Sequence, residues 1–282
     1  MKMKRLIIGF IIIIQCLSSR GQSKDNYQVF ALNFTGNSYS AANSWAVGAG
    51  EHDSIQSCAM FWLLKGENGK NILVDAGYTD TLKKPFLTYI RPDILLKRMN
   101  LNPSDISDII ITHPDWDHIG GINLFPYSKV WMQEDDFNYF VGRNWQSDSL
   151  TRRFNEKNDV RNIIEINLQG RLRLIKGDNV EIFPGIRVYT GSKHSFENQY
   201  LVVNSNSDDN KILIASDAVW VYYNLDHMAT IPWAVVDQSA YVEAMRRMKL
   251  LVTDPRLIIP GHDAAVFDRF PKIADRIVRI GK

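Results

Sequence analysis

The chain has 282 residues, and its 33 Lys and Arg nearly balance 31 Asp and Glu, leaving a formal net charge of +2. That balance offers no basic excess to neutralise phosphates, which excludes nucleic acid as a main partner. Two cysteines, Cys16 and Cys58, exclude a disulfide-stapled scaffold, so an apolar core must hold the fold.

Lys2, Lys4 and Arg5 precede an apolar run, Leu6–Ile14, and no charge follows until Arg20. Ser19 and Gly21 put small residues at the −3 and −1 positions of a cleavage site. This layout predicts a secretory signal peptide over residues 1–21 and an exported, periplasmic or secreted, mature protein. The run is too short for a membrane span, so no membrane insertion is expected of the mature form. Gln15 before Cys16 is a poor match to a lipoprotein site. Loss of Lys2, Lys4, Arg5 and Arg20 moves the net charge from +2 to −2. Residues 22–282 read as one domain, long enough to bury a large core.

Short apolar runs then alternate with turn signals. Tyr27–Phe34, Cys58–Leu64 and Ile72–Val74 read as strands, with Glu67-Asn68-Gly69 turning between the last two. Asp93 after Pro92 starts a helix over Asp93–Met99. Ile109–Ile111 is a buried strand opening into a polar loop, and Lys129–Met132 is another strand. Leu172–Ile175, Val180–Phe183 and Arg187–Tyr189 follow. Tyr200–Asn204 and Lys211–Ala215 read as a hairpin. Asp237 begins a helix with Tyr241, Ala244, Met245 and Met248 on one face. Leu257–Ile259 is a last strand, and Ile273, Ile277 and Ile280 predict one face of a terminal helix. Strands plus helices in each half predict an α+β two-sheet sandwich with helices outside.

Four of the six histidines fall in loops directly after apolar strands. His113 and His118 follow "DIIIT", His194 follows "IRVYTGSK", and His262 follows "RLIIPG". Asp217 follows "KILIAS" in the same way. Loops held by strand ends are where chemistry concentrates. A lone His or Asp there is usually a packing or capping residue. Five such residues at four strand ends, with Asp115 and Asp117 crowded between His113 and His118, point instead to a metal site.

"HPDWDH", "TGSKHS", "ASDAVW" and "PGHD", in that order, resemble the metallo-β-lactamase-fold hydrolases, with "DAG" at Asp75–Gly77 and "HIGGINLFP" in the usual neighbourhood. The resemblance runs from about Tyr27 to the C-terminus. It implies an αββα sandwich with two divalent metal ions at one edge of the sheets. His113, Asp115 and His194 would hold one ion, Asp117, His118 and His262 the second, and Asp217 would bridge them. Imidazole and carboxylate suit zinc first. Asp115 stands where the family usually has His, and a hard ligand there brings in iron or manganese. Flavodiiron proteins of the same fold also have a carboxylate at that place.

"PGHD" with Val266–Phe270, and "SDAVWVYYNL", resemble the N-acyl-homoserine-lactone lactonase-like branch. The implied reaction is attack of metal-bound hydroxide on an ester or lactone carbonyl of a small-molecule substrate. Asp117 is the candidate acid–base residue. That branch places a Tyr shortly after the bridging Asp; Trp220 is nearest that position and Tyr222 is the candidate. Trp116 and Phe196 are expected to line an apolar entrance, with Trp45 and Trp62 joining them and His227 in or near the pocket. Alternatives are phosphodiester or β-lactam hydrolysis, a non-catalytic metal-binding module, or a redox diiron protein.

Overall fold

The computed structural model describes residues 25–79, 88–146, 151–206 and 211–281. The leader expected over residues 1–21 lies outside the described residues. Two sheets face each other. The larger has eight strands, in the spatial order Lys272–Ala274, Ile277–Ile280, Tyr27–Asn33, Met60–Gly66, Asn71–Val74, Asp108–Ile110, Lys129–Gln133 and Leu172–Ile175. The smaller has five, in the order Ile258–Pro260, Lys211–Ser216, Tyr200–Asn204, Ile186–Tyr189 and Val180–Phe183.

Side-chain alternation along the strands creates the layers. In Met60–Gly66, Met60, Trp62 and Leu64 enter the core between the sheets, where they meet Val188, Leu201, Val203, Ile212, Ile214 and Ile259. Phe61 and Leu63 point to the other face, against Leu95, Leu96, Phe137, Phe140, Ile163 and Ile166 from the helical segments. A strand buried on both faces reads as an unbroken apolar run. On the far side, Tyr241, Ala244, Met245 and Met248 of the helix Gln238–Leu251 cover Tyr200, Val202, Leu213 and Ala215. The Asp237 side chain caps that helix by accepting from the Ala240 N–H at 3.0 Å. The architecture is the αββα sandwich.

The C-terminal segment corrects an expectation. Ile273, Ile277 and Ile280 do not share a helix face. Lys272–Ala274 and Ile277–Ile280 are antiparallel strands, joined by a turn in which Arg276 takes φ 63°. Ile280 pairs with Val29 and Ile277 with Leu32. Three residues apart on a strand means opposite faces, so Ile277 packs outside the large sheet and Ile280 between the sheets. Pairing with Tyr27–Asn33 overrides the helical spacing. The short hairpin of Ser38–Ala41 with Ser54–Ser57 and the helices Glu134–Val141, Lys157–Leu168 and Tyr222–His227 are additional to the sequence reading.

Parallel pairing positions the site. Asn71–Val74, Asp108–Ile110, Lys129–Gln133 and Leu172–Ile175 run parallel to one another, as do Lys211–Ser216 and Ile258–Pro260. Open sheets of this kind bind ligands beyond the carboxyl ends of parallel strands. Those ends deliver Asp75, the loop His113–His118, Asp217 and His262.

Trp62 is fully buried between the sheets. Trp62→Ala is expected to cost about 3–5 kcal/mol, measured by denaturant unfolding; a loss under about 1 kcal/mol would contradict its place in the core.

Candidate metal centre

Sharp turns aim the side chains. Asp75, Lys193 and Ser216 adopt left-handed backbone conformations, with φ of 62°, 54° and 47°. Lys193 directly precedes His194 and Ser216 directly precedes Asp217, so each turn redirects the next side chain at a strand end. Such strain persists where surrounding structure enforces it, commonly at functional sites. Two glycines permit the close approach of loops. A Cβ on Gly261 would fall 2.4 Å from Asp217 Oδ1, and one on Gly121 would fall 2.0 Å from the Ala76 carbonyl oxygen. The "PGHD" and "HIGG" glycines are therefore packing requirements of the site.

The converging atoms form a double cluster. Asp217 lies at its centre. Its Oδ1 is 3.4 Å from His118 Nε2 and 3.1 Å from His262 Nε2, while its Oδ2 is 3.8 Å from His113 Nε2 and 3.4 Å from His194 Nε2. Asp115 Oδ2 is 3.4 Å from both His113 Nε2 and His194 Nε2. Asp117 Oδ2 is 3.7 Å from His118 Nε2 and 3.8 Å from His262 Nε2. Three overlapping groups are set to hold a cation: His113 with Asp115 and His194, Asp117 with His118 and His262, and His113 with His118 and Asp217.

The buried polar atoms fit divalent metal ions. Nε2 of His113, His118 and His194 and Oδ1 of Asp217 are buried without a hydrogen-bond partner. Unpaired buried polar atoms are costly unless something else satisfies them. Two ligand atoms on one tetrahedral zinc stand about 3.3 Å apart, and the spacings here cluster around that value. The outer nitrogens are fixed from behind. His118 Nδ1 lies 2.8 Å from Asp75 Oδ2, and His262 Nδ1 lies 3.0 Å from the Cys58 carbonyl oxygen. Both partners only accept, so each Nδ1 donates and each Nε2 keeps its lone pair for the cluster. Asp75, fully buried, also accepts from the Thr112 N–H at 2.8 Å and the Ser216 hydroxyl at 3.1 Å, tying together the loops that carry His113, His118 and Asp217.

The charges respond to one another. Burial pushes the Asp217 carboxyl up, but His262, His118 and His194 outweigh it and hold the group well below the usual carboxylate range. Asp115 is held low against burial by His113 and His194. Burial lowers the imidazoles of His118, His194 and His262, and the surrounding carboxylates raise them above the ordinary value: Asp217, Asp117 and Asp75 for His118, Asp115 and Asp217 for His194, Asp217 and Asp117 for His262.

Above the cluster lies a cavity of about 290 Å³. Asp115, Asp117, Asp217 and His262 form part of its lining, with Trp45, Trp116, Trp220, Trp233 and Phe154 as aromatic walls. Trp220 Nε1–H donates to Asp217 Oδ2 at 2.5 Å, so this indole, not a phenol, is the aromatic group that reaches the Asp217 carboxylate. Tyr222 does not line the cavity. At the start of the helix Tyr222–His227 its ring turns into the core between the sheets, under the Arg269 guanidinium at 3.6 Å. Trp62 is likewise a core residue and not a wall. Phe196 stacks on Tyr139 at 4.2 Å, away from the cavity lining. His227 is exposed and stacks on Tyr223 at 4.1 Å. Trp233 and Phe154 carry no motif, and no sequence signal marks them.

Residues 58–153 match the metallo-beta-lactamase superfamily model. An N-acyl homoserine lactonase of Bacillus thuringiensis is 24% identical over 171 residues, which cover 60% of each chain. The chain thus spans about three-fifths of the length of that curated relative. A solved quorum-quenching N-acyl homoserine lactone lactonase superposes with a TM-score of 0.67 at 21% identity, covering 87% of this chain and 96% of that one. AidC, a dizinc quorum-quenching lactonase solved with a product bound, gives a TM-score of 0.64 at 16% identity, covering 86% and 92%. The protein has the metallo-β-lactamase fold, and its cluster of histidines and aspartates sits where four parallel strand ends meet.

One buried acid outside the cluster gives a pH-dependent expectation. Burial pushes the Asp136 carboxyl up to about 7 from an ordinary value near 3.8, although it accepts the Glu197 N–H. Between those values the unfolded chain ionises the acid and the folded chain keeps it protonated. The stability it contributes below about pH 4 is therefore lost as pH rises to about 7. Asp136→Asn removes the titration. Its melting temperature relative to the wild type is expected to be several degrees more favourable at pH 8 than at pH 4; an offset that does not change with pH would contradict this.

Proposed function

We propose that this chain is a metal-dependent hydrolase that opens an ester or lactone ring of the N-acyl-homoserine-lactone type. The observation that carries the proposal is the set of partnerless, buried Nε2 and Oδ1 atoms converging at a cavity walled by four tryptophans. His113, Asp115 and His194 would hold one divalent cation, Asp117, His118 and His262 the other, and Asp217 both. When bound, such a pair lowers the pKa of a water and polarises a carbonyl oxygen.

The chain's own groups supply the rest. Asp117 is half-buried and lines the cavity, so its carboxylate can accept the proton of the attacking water and return it to the leaving alkoxide. Trp45, Trp116, Trp220, Trp233 and Phe154 exclude water and take the apolar part of the substrate. No phenol lines this cavity among the described residues, and the Trp220 N–H is committed to Asp217. The hydroxyls of Thr35, Ser38, Ser40 and Ser57 are other polar side-chain donors in the lining, and a bound cation pair would add charge to polarise the carbonyl oxygen. Likeness in fold to the lactonases supports the choice of lactones over phosphodiesters and β-lactams.

Residues 22–282, supplied in turn with zinc, manganese and ferrous iron, are to be tested on acyl-homoserine lactones, simple lactones, a β-lactam and a phosphodiester. Lactone opening is expected, with kcat reduced at least about 100-fold in Asp117→Ala and within about 2-fold of wild type in Tyr222→Phe. Cleavage of the β-lactam or phosphodiester alone would overturn the proposal.

Asp115 adds a negative, hard oxygen to the first position. Asp115→His is expected to keep the fold and shift bound metal towards zinc when zinc, manganese and iron are offered together. Elemental analysis of both proteins checks this, and identical metal content would count against the assigned role of Asp115.

A further inference from the structure

Asp115 has two oxygens, and the fold treats them differently. Oδ2 faces the cluster, 3.4 Å from both His113 Nε2 and His194 Nε2. Oδ1 accepts a hydrogen bond from Asn155 Nδ2 at 3.0 Å. Asn155 comes from a separate part of the chain, between the short helical turn Thr151–Phe154 and the helix Lys157–Leu168.

The orientation of the Asn155 amide is fixed by its neighbours. Its Nδ2 also donates to the Pro114 carbonyl oxygen at 3.0 Å. Asp115 Oδ1 and Pro114 O can only accept, so the nitrogen must face them. On the other side, Asn155 Oδ1 accepts from Asn144 Nδ2 at 2.6 Å, and Asn144 Oδ1 accepts from the Thr151 hydroxyl at 2.7 Å. Asn144 is fully buried. This chain of amides ends on one oxygen of the residue that departs from the family's usual His.

A carboxylate on a short side chain can rotate and offer either oxygen, or both, to a cation. An imidazole at the same place would offer a single nitrogen. We propose that Asn155 is a positioning residue for Asp115: its amide holds Oδ1 away from the cluster, so that Asp115 presents Oδ2 alone to the space beside His113 and His194. A neutral donor suits this task, because a Lys or Arg there would oppose the cation. The proposal rests on the reading that the cluster holds two divalent cations.

Its test is metal binding, which needs no substrate. Residues 22–282 are stripped of metal and titrated with Zn²⁺ and with Mn²⁺ by calorimetry, for wild type, Asn155→Ala, Asp115→His and the double variant. Asn155→Asp, of nearly the same volume, serves as a second probe, and melting curves report the fold of each. Wild type is expected to take up two ions. Asn155→Ala should weaken one of the two steps by about 10–100-fold and leave the other within about 3-fold, the size expected for loss of a group that orients a ligand. Asn155→Asp, which sets two carboxylates against each other, should weaken the same step at least as much. In the Asp115→His background the Asn155→Ala loss should shrink to under about 3-fold, because an imidazole has no second oxygen to restrain. Equal losses in both backgrounds would mean that Asn155 only supports the loop and would overturn the proposal, as would no loss in the wild-type background. If wild type itself binds no ion, the two-cation reading fails first and this inference with it.

Discussion

The structure depends on one buried carboxylate. Asp217 is almost wholly buried, and Nε2 atoms of four imidazoles lie between 3.1 and 3.8 Å from its oxygens. A lone anion at that depth would cost several kcal/mol. Here His262, His118 and His194 hold its carboxyl well below the usual range, and Oδ1 is buried without a protein hydrogen-bond donor. His118 lies nearer Oδ1, His113 and His194 nearer Oδ2, and His262 Nε2 is within 3.1–3.2 Å of both oxygens. Asp75 stands behind it as the second constraint, holding His118, Thr112 and Ser216 together from the end of the neighbouring strand.

The sandwich explains why these groups can meet. Parallel strands in both sheets end on the same edge, and their apolar runs are pinned by burial on two faces. Only the residue just past each strand is free to be polar. The left-handed turns at Asp75, Lys193 and Ser216, and the absent side chains at Gly121 and Gly261, let those residues crowd closer than ordinary loops allow. The cavity walls come from elsewhere: Trp45 from the excursion after the first strand, Phe154 from the segment before Lys157–Leu168, Trp233 from the loop before Gln238–Leu251. Trp45, Phe154 and Trp233 thus come from parts of the chain that carry no cluster residue, whereas Trp116 and Trp220 are tied to it, one inside the His113–His118 loop and the other through its hydrogen bond to Asp217.

Legibility in the sequence followed the same division. His113, Asp115, Asp117, His118, His194, Asp217 and His262 stand out because they lie in loops that follow short apolar strands, and it is the resemblance to the metallo-β-lactamase-fold hydrolases that gathers them into one ligand set. Trp116 lies inside the motif, and it does line the cavity. Residues chosen by proximity along the chain were less securely placed. Tyr222 is five residues past Asp217, yet the chain turns into a helix between them and buries the ring on the other side. Phe196 adjoins the His194 loop but stacks outward on Tyr139. Asn155, Phe154 and Trp233 reach the site through tertiary packing alone, for which one sequence has no periodic signal. The Ser38–Ala41 and Ser54–Ser57 hairpin is similar, since its exposed serines lack the apolar alternation that marks a strand. The terminal strands failed for the opposite reason: the isoleucine spacing was real, but pairing with Tyr27–Asn33 decided its meaning.

We propose that Asp217 bridges two cations, one on each side. Crystals of residues 22–282 soaked in Mn²⁺ and measured at a wavelength where manganese scatters anomalously test it most directly. Two anomalous peaks are expected, one between His113, Asp115 and His194 and one between Asp117, His118 and His262, with an oxygen of Asp217 on each. A single peak, or two peaks that leave Asp217 without contact to either, would contradict it.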